Sequence, residues 1–426
     1  MEAEQVDTPR PHIHDHDSAE GLLSVEEARE RVLSQIQPLA PFDLRLQDAY
    51  GCVAASDLLA REDMPAFASS AMDGFAVRAE DLAGVRPENP ITLRVTGHAR
   101  IGREPRQSLG PGEAIRIDTG APIPEGVDGV VPIENCRVKD DRVFVLERVP
   151  AGKHVRPPAE DARAGDVLVP EGRKLGGPEL GLLAAAGIDP VAVRPRPRVV
   201  VISTGDELVE PHRDPGFGQI RDANAHTLYG AVREAGASCF LAGIVGDDVD
   251  QFKELLLSQL GQADVFISSG GVSVGEHDVV KRAFFRRGTV DFFKVAMQPG
   301  MPQAFGVIEG RPYFGLPGNP VSVFVSFEVF VRPALLKLGG RRDLDRPEVT
   351  ATLDSEVSGP AQKTVFARVR VRHDGEGWRA ESTGTRFSNL LSTVARANGL
   401  AIIPPGVERI PAGETCRVML FRSLEH

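Results

Sequence analysis

The spacing of apolar positions changes along the chain, and the changes divide it. Val25, Ala28, Val32 and Ile36 recur at helical intervals behind Ser24-Val25-Glu26-Glu27, where a hydroxyl is followed three residues on by a carboxylate, as in a capping box. This helix must end before Pro38 and Pro41. Between residues 61 and 150, glycine and proline punctuate short apolar runs around Ile91, Ile115 and Val143, which predicts an inserted β-rich domain. Residues 152–187 mix turns with an Ala/Leu-rich helix at 178–186 that is expected to return to the first helix. Segments 21–60 and 151–195 thus read as one amino-terminal linker and helical domain.

Past Arg194-Pro195-Arg196-Pro197 the pattern becomes strand and helix in alternation. Strands are predicted at 199–202, 240–245, 265–267, 290–295 and 312–315, with helices at 223–235, 249–260, after Asp278 and at 321–338. Such alternation predicts a doubly wound parallel sheet over residues 196–340, with ligands at the carboxyl ends of its strands. Gly339-Gly340-Arg341-Arg342 marks a further boundary. Beyond it Val365, Ala367, Val369 and Val371 alternate with Phe366, Arg368, Arg370 and Arg372, and His373-Asp374-Gly375 reads as a hairpin turn. Residues 341–426 therefore read as a small β-barrel-like domain, and the fold class as multidomain α/β plus β.

Composition narrows the picture. A chain of 426 residues exceeds one ordinary core, and 42% apolar with 26% charged residues is globular usage. No apolar run is long enough to cross a bilayer, so no membrane is expected. Residues 1–20 are acidic and lack an apolar centre, which reads as a disordered tail rather than a secretory signal. His12, His14 and His16 alternate there, a pattern that suits a metal but suits a solvated tail better. The four cysteines (Cys52, Cys136, Cys239, Cys416) lie far apart without CxxC spacing, which argues against zinc and disulfides and for a reducing cytoplasm. A net charge of −11 disfavours nucleic acid. It leaves an anionic substrate open, because salt screens distant acids over about 8 Å.

Chemistry gathers where the α/β strands end. The loops read Ser203-Thr204-Gly205-Asp206-Glu207, Gly246-Asp247-Asp248, Ser268-Ser269-Gly270-Gly271 (running through Ser273 to Glu276 and Asp278) and Gly315-Leu316-Pro317-Gly318-Asn319-Pro320. A strand feeding glycines and then a helix offers free backbone N–H groups to an anion, although glycines also serve turn geometry alone. Glu207, Asp247 and Asp278 suit a hard cation such as Mg²⁺. Each acid taken singly also reads as a helix cap or solvated turn; their recurrence after successive strands favours a shared site. Lys294, near another strand end, adds a point charge, and metal plus lysine around phosphate is equipment for phosphoryl chemistry. Arg368, Arg370 and Arg372 read as an exposed strand face, Trp378 as core, and Arg286-Arg287 as a helix terminus favoured by the dipole.

These loops, with Ser69–Arg78 (SSAMDGFAVR) and Asp118–Gly126 (DTGAPIPEG), resemble the molybdopterin molybdenumtransferase family, that of MoeA and the E domain of gephyrin, over about residues 20–423. The resemblance implies an enzyme that binds adenylylated molybdopterin and molybdate, places the metal on the dithiolene, and releases AMP with Mg²⁺ assistance. It implies an elongated homodimer whose cleft lies between the α/β domain of one subunit and the β domain of the other. By the motifs, Glu207, Asp247, Asp278 and Lys294 are catalytic, with Glu207 and Asp247 as metal ligands. Thr119 and Asp161 would come from the partner subunit. Thr204, Gly205, Ser269, Gly270, Gly271, Ser273, Pro317, Gly318, Asn319 and Pro320, with Arg368 and Ser388, would bind substrate.

Three departures stand out: Ala68 where the family often has an acid, and Gln298 and Met301 where basic residues often sit. Two alternatives follow. One is the adenylyltransferase that makes the activated pterin, which shares the α/β domain and is also a possible protein partner; the extra β domains count against that identity. The other is a catalytically weakened scaffold of the gephyrin kind. No Ser–His–Asp constellation points to covalent catalysis.

Overall fold

The computed structural model describes residues 21–272, 279–284, 290–384 and 387–422. It forms two compact units, one of residues 43–50 and 54–192, the other chiefly of residues from Val193 onward with the segment before Asp43. Helix α1 (Val25–Ser34) starts at the capping box: Ser24 Oγ accepts from Glu27 N–H at 3.1 Å, and the Glu27 carboxylate accepts from Ser24 N–H at 2.8 Å. The sequence pattern groups this helix with residues 151–195. Its apolar face is instead buried in the larger unit, where Val32 and Ile36 join the core around Val199 and Leu228.

The smaller unit is built on a six-stranded sheet. Its strands are β1 (Gly74–Val77), β2 (Ile91–Ala99), β3 (Glu113–Ile117), β4 (Gly129–Pro132), β5 (Cys136–Lys139) and β6 (Arg142–Val145), in the order β4-β1-β3-β2-β6-β5. Alternation sends Phe75, Val77 and Val131 to one core and Ala76, Ile115 and Val130 to another. Helix α2 (Gly177–Ala185) belongs to the same unit.

In the larger unit the chain alternates β7 (Arg198–Thr204), α3 (Asn224–Glu234), β8 (Ser238–Val245), α4 (Val249–Ser258), β9 (Val265–Ser269) and α5 (Val279–Phe284). It continues through β10 (Val290–Lys294), β11 (Met297–Gln298), β12 (Pro302–Ile308), β13 (Arg311–Leu316), α6 (Pro320–Ser326) and α7 (Arg332–Leu338). The sheet order is β8-β7-β9-β13-β12-β10. Its strands are apolar on both faces, as a doubly covered sheet requires. Val199, Val201 and Ile267 pack with α3 and α7, while Val200, Ile202 and Phe266 pack with Phe252 and Leu256 of α4 and Phe284 of α5.

The sheet departs from the all-parallel expectation at one edge. The sequence reading passed over β12, which runs antiparallel to both neighbours. The cause is the two-residue turn Glu309-Gly310, both at positive φ, which folds β12 directly back onto β13. Because β12 alone is reversed, β10 again runs with β7, β8, β9 and β13, and their carboxyl ends share one edge.

The last region closes a five-stranded barrel from β14 (Glu348–Leu353), β15 (Thr364–His373), β16 (Trp378–Ser382), β17 (Gly399–Ile403) and β18 (Thr415–Leu420), closed by β15 pairing β17; helix α8 (Leu391–Arg396) lies between β16 and β17. Strand β11 adds to the outside of β15, Met297 opposite Thr364. Val365, Val369 and Val371 face the interior as the period of two requires, with Trp378 half-buried beside them. On the other face Arg370 and Arg372 are exposed, but Arg368 is only 5% exposed. That half of the strand is covered, for Phe366 packs against Val321, Phe324 and Val394.

The expected single helix at 321–338 carries a π-turn at Phe327–Val331. There Glu328, 3% exposed, takes two hydrogen bonds from Arg346 at 2.8 and 2.9 Å. Beside this pair, burial pushes the Arg332 guanidinium down to about 10. Removing one partner of a buried pair strands the other charge. Glu328→Ala is expected to lose about 3–5 kcal/mol of unfolding free energy, and Glu328→Met with Arg346→Met to recover most of it, read by urea denaturation.

Candidate functional site

At the end of β7 the chain turns sharply at Gly205, whose N–H donates to Val245 O at 3.1 Å and whose φ is +145°. The turn carries Asp206 and Glu207 out of the sheet, both exposed. Asp206 then links two loops: its Oδ1 accepts from the N–H of Asp247 at 3.0 Å, at the end of neighbouring β8. A Cβ on Gly246 would lie 2.4 Å from that same oxygen, so glycine is what lets the loops meet. Asp247 stays exposed. Glu207 and Asp247 thus rise from adjacent strand ends, braced by an acid that sequence reasoning did not single out.

The third loop abuts the first. Gly270 N–H donates to Leu316 O at 3.0 Å and Thr204 Oγ1 donates to Ser269 O at 3.3 Å. Gly270 and Gly271 both have positive φ, and a Cβ on Gly270 would sit 2.7 Å from Thr204 O. The fourth loop approaches over Gly318, where a Cβ would come within 3.9 Å of Gly270 Cα. Pro317 is buried, Gly318 and Asn319 are exposed, and Pro320 starts α6. Asn224, at the start of α3, was not anticipated either. Its Nδ2 donates to Gly318 O at 2.7 Å while its buried Oδ1 has no partner among the described residues. An Asp-Ala-Asn run before a helix was the only available signal.

Thr204, Gly205, Glu207, Asp247, Ser269, Gly270, Gly271, Pro317, Gly318, Asn319 and Pro320 therefore come together on β8, β7, β9 and β13. Asp278 and Ser273 lie outside the described residues. Lys294 lies on the same edge of the sheet but four strand positions from Glu207, about 19 Å at ordinary strand spacing. It stands instead on the barrel side of the unit, where Leu23 N–H donates to its carbonyl at 3.0 Å.

Here Arg368 and Ser388 are found. Arg368 donates to Thr393 Oγ1 at 3.2 Å and Phe387 O at 3.3 Å, and burial lowers its pKa below the ordinary guanidinium value. Ser388 O accepts from the Val321 N–H at 3.1 Å, tying this region to the Pro317–Pro320 loop. Arg368 lines a cavity of about 290 Å³ and Ser388 one of about 370 Å³, and both cavities include Gln298 and Pro299. The anticipated residues of the larger unit that are described thus occupy two loci along one sheet edge.

In the smaller unit, Thr119 and Asp161 are exposed, and Thr119 N–H donates to Asp73 Oδ1 at 2.8 Å. A cavity of about 780 Å³ beside Arg100, Arg103 and Arg106 contains no anticipated site residue. Burial pushes the thiols of Cys136 and Cys239 up to about 12, which denies them thiolate chemistry. Among the described residues no helix is long and apolar enough to cross a membrane, and no three His, Cys, Asp or Glu side chains cluster as metal ligands.

Three family models cover the chain in order: the MoeA N-terminal region (domain I and II) over residues 23–187, a probable molybdopterin binding domain over 200–337, and the MoeA C-terminal region (domain IV) over 350–421. Molybdopterin molybdenumtransferase 2 of Mycobacterium tuberculosis is 42% identical over 403 residues, covering 93% of this chain and 99% of that one. The chain belongs to the molybdopterin molybdenumtransferase family. The Haemophilus influenzae molybdopterin molybdenumtransferase is 33% identical, over 95% of this chain and all of its own. A crystal structure titled as a molybdopterin biosynthesis MoeA protein from a Pyrococcus species superposes with a TM-score of 0.81 at 32% identity, over 95% of this chain and 100% of that one.

The close approach at Gly270 makes a direct test. Gly270→Ala forces a side chain into left-handed backbone against Thr204 and is expected to cost about 1–3 kcal/mol. Circular dichroism should show the fold retained, with substrate affinity reduced more than in Gly261→Ala, where the added Cβ meets nothing within 4 Å.

Proposed function

We propose that the chain transfers molybdenum from molybdate to adenylylated molybdopterin and releases AMP, as an enzyme of molybdenum-cofactor synthesis. The observation that carries this reading is the pair Glu207 and Asp247 on adjacent strand ends, braced by Asp206, within a chain matched to its family over residues 23–187, 200–337 and 350–421. The substrate is long: a pterin with its dithiolene, a pyrophosphate and a nucleoside. Two loci on one sheet edge suit such a molecule better than one compact hollow.

In this reading the pyrophosphate lies over the glycine loops. The N–H groups of Gly271 and Gly318 orient its oxygens, while the Gly270 N–H stays on Leu316 O, with backbone close to ligand because no Cβ intervenes. Water adds across the linkage between the two phosphorus atoms, giving AMP and the pterin's own phosphate; the two dithiolene sulfurs bind molybdenum as one molybdate oxygen leaves as water with the two thiol protons. Glu207 and Asp247 are exposed oxygen donors on neighbouring loops, a set that fits Mg²⁺, which is commonly held by one or two carboxylates with waters and substrate phosphates. When bound, that ion would neutralise charge developing on the phosphoryl oxygens. Asp206 keeps the Asp247 loop in place. Lys294 and Arg368 provide positive charge at the far end, and Ser388 a hydroxyl.

A homodimer whose second copy supplies Thr119 and Asp161, in a cytoplasmic setting and fed directly by the pathway's adenylyltransferase, completes the reading and rests on the family resemblance.

Purified protein given adenylylated molybdopterin, molybdate and Mg²⁺ should release AMP and yield a cofactor that activates a molybdenum-free apoenzyme. Asp247→Asn and Glu207→Gln are each expected to lower AMP release about 100-fold. Pterin adenylylation from ATP in place of AMP release would transfer the protein to the adenylyltransferase class. Undiminished release from both variants would remove the carboxylates from the mechanism.

A further inference from the structure

Where helix α8 ends, the barrel carries a cavity of about 670 Å³, within the range of ligand clefts. Its charged lining is Arg370 and Arg372 of β15, Arg396 of α8 and Arg422 beyond β18, against Asp354 and Glu381. Residues two apart on a strand share a face, so Arg370 and Arg372 stand side by side. Asn398 fixes the floor: its Nδ2 donates to Val371 O at 2.9 Å and its Oδ1 accepts from Val371 N–H at 2.7 Å. This stitch holds the end of α8 against β15 and brings Arg396 to the same cavity. Asp354 is already engaged, accepting from Arg372 and from Arg379, each at 2.7 Å. Glu381 lies opposite Arg370 in the β15–β16 pairing, yet among the described residues neither Arg370 nor Arg396 forms an ion pair. The cavity thus keeps a positive surplus in a chain whose net charge is −11.

We propose that the acidic amino-terminal segment of this same chain, residues 1–20, docks in this arginine-lined groove. The segment carries Glu2, Glu4, Asp7, Asp15, Asp17 and Glu20 against Arg10 alone. It joins the described fold at Gly21, in the unit that holds the barrel. There Leu23 N–H donates to Lys294 O at 3.0 Å, and Ala296 N–H donates to Leu23 O at 2.7 Å. Leu23 packs on the core that contains Ala397 and Phe421, the chain neighbours of Arg396 and Arg422. Distance is no obstacle. Ala296 O accepts from Thr364 N–H, and Arg370 lies further along β15 by about 20 Å. Residues 1–20, fully extended, span up to about 66 Å. The spacing matches as well: in an extended chain Asp15 and Asp17 lie about 7 Å apart on one side, as Arg370 and Arg372 do. Arg372 has donors left over for a second carboxylate. Each exposed pair contributes little alone, and the covalent tether supplies the concentration that makes their sum count. Docked, the segment shields the groove and competes with any other anion for it.

The test is the fluorescence anisotropy of a labelled peptide of residues 1–20 added to two full-length proteins. One is the parent; the other carries Glu2→Gln, Glu4→Gln, Asp7→Asn, Asp15→Asn, Asp17→Asn and Glu20→Gln, which vacates the groove. A tethered segment acts at about millimolar effective concentration, so the parent is expected to bind the peptide about 10-fold more weakly than the neutralised chain. Raised salt should close that gap. Arg370→Gln with Arg396→Gln, added to the neutralised chain, should weaken peptide binding about 10-fold at an unchanged unfolding temperature. In an otherwise native full-length chain, Arg396→Lys should gain a carbodiimide cross-link from position 396 to Asp15, Asp17 or Glu20 within one chain. Equal peptide binding by the parent and the neutralised chain overturns the proposal, as does binding indifferent to the two arginine substitutions. Cross-links formed only between chains assign the groove to the segment of a second copy and overturn it too.

Discussion

The strand-end edge depends on one missing atom. With φ near +90° and Thr204 O where a Cβ would need to be, position 270 admits glycine and little else. That lets the loop after β9 lie directly on the loop after β7, with Gly270 N–H reaching across to Leu316 O. Three loops from three strands are then held at backbone distance. The same device recurs at Gly246, where absence of a side chain admits the Asp206 carboxylate. Polar groups from remote sequence positions are fixed by backbone contacts rather than by long side chains, which limits the entropy lost when a ligand binds.

The reading of the sequence reached most of the architecture because hydrophobic period carries it directly. The helical spacing of Val25, Ala28 and Val32 and the doubly apolar runs of β7 and β9 have one sensible burial each. What it missed needed tertiary knowledge. Strand β12 begins with proline and contains Gly306, so its period is diluted, and only the turn at Glu309-Gly310 shows its direction. Arg368 shares a period with Arg370 and Arg372, yet burial of its half of β15 is decided by α6 and α8, elements remote in sequence. Glu207 and Asp247 were recognisable as acids after strands. That Asp206 turns back to brace the Asp247 loop follows from Gly205's backbone angle, which no composition rule encodes.

The net charge says little about the site. Acids dominate the sequence, yet Glu207 at one end of the sheet edge and Lys294 at the other lie about 19 Å apart at ordinary strand spacing, beyond a screening length. Each locus therefore meets a ligand with its own local sign.

Strand β11 gives the barrel a fixed datum. Two residues, Val295 and Ala296, separate the end of β10 from the start of β11. β11 is hydrogen-bonded into the barrel, where Thr364 N–H reaches Ala296 O at 2.8 Å. The connector works as a ruler: two residues set how far the last strand of the sheet stands from the barrel. An inserted residue there would slip the pleat by one and turn the side chains of β11 to opposite faces.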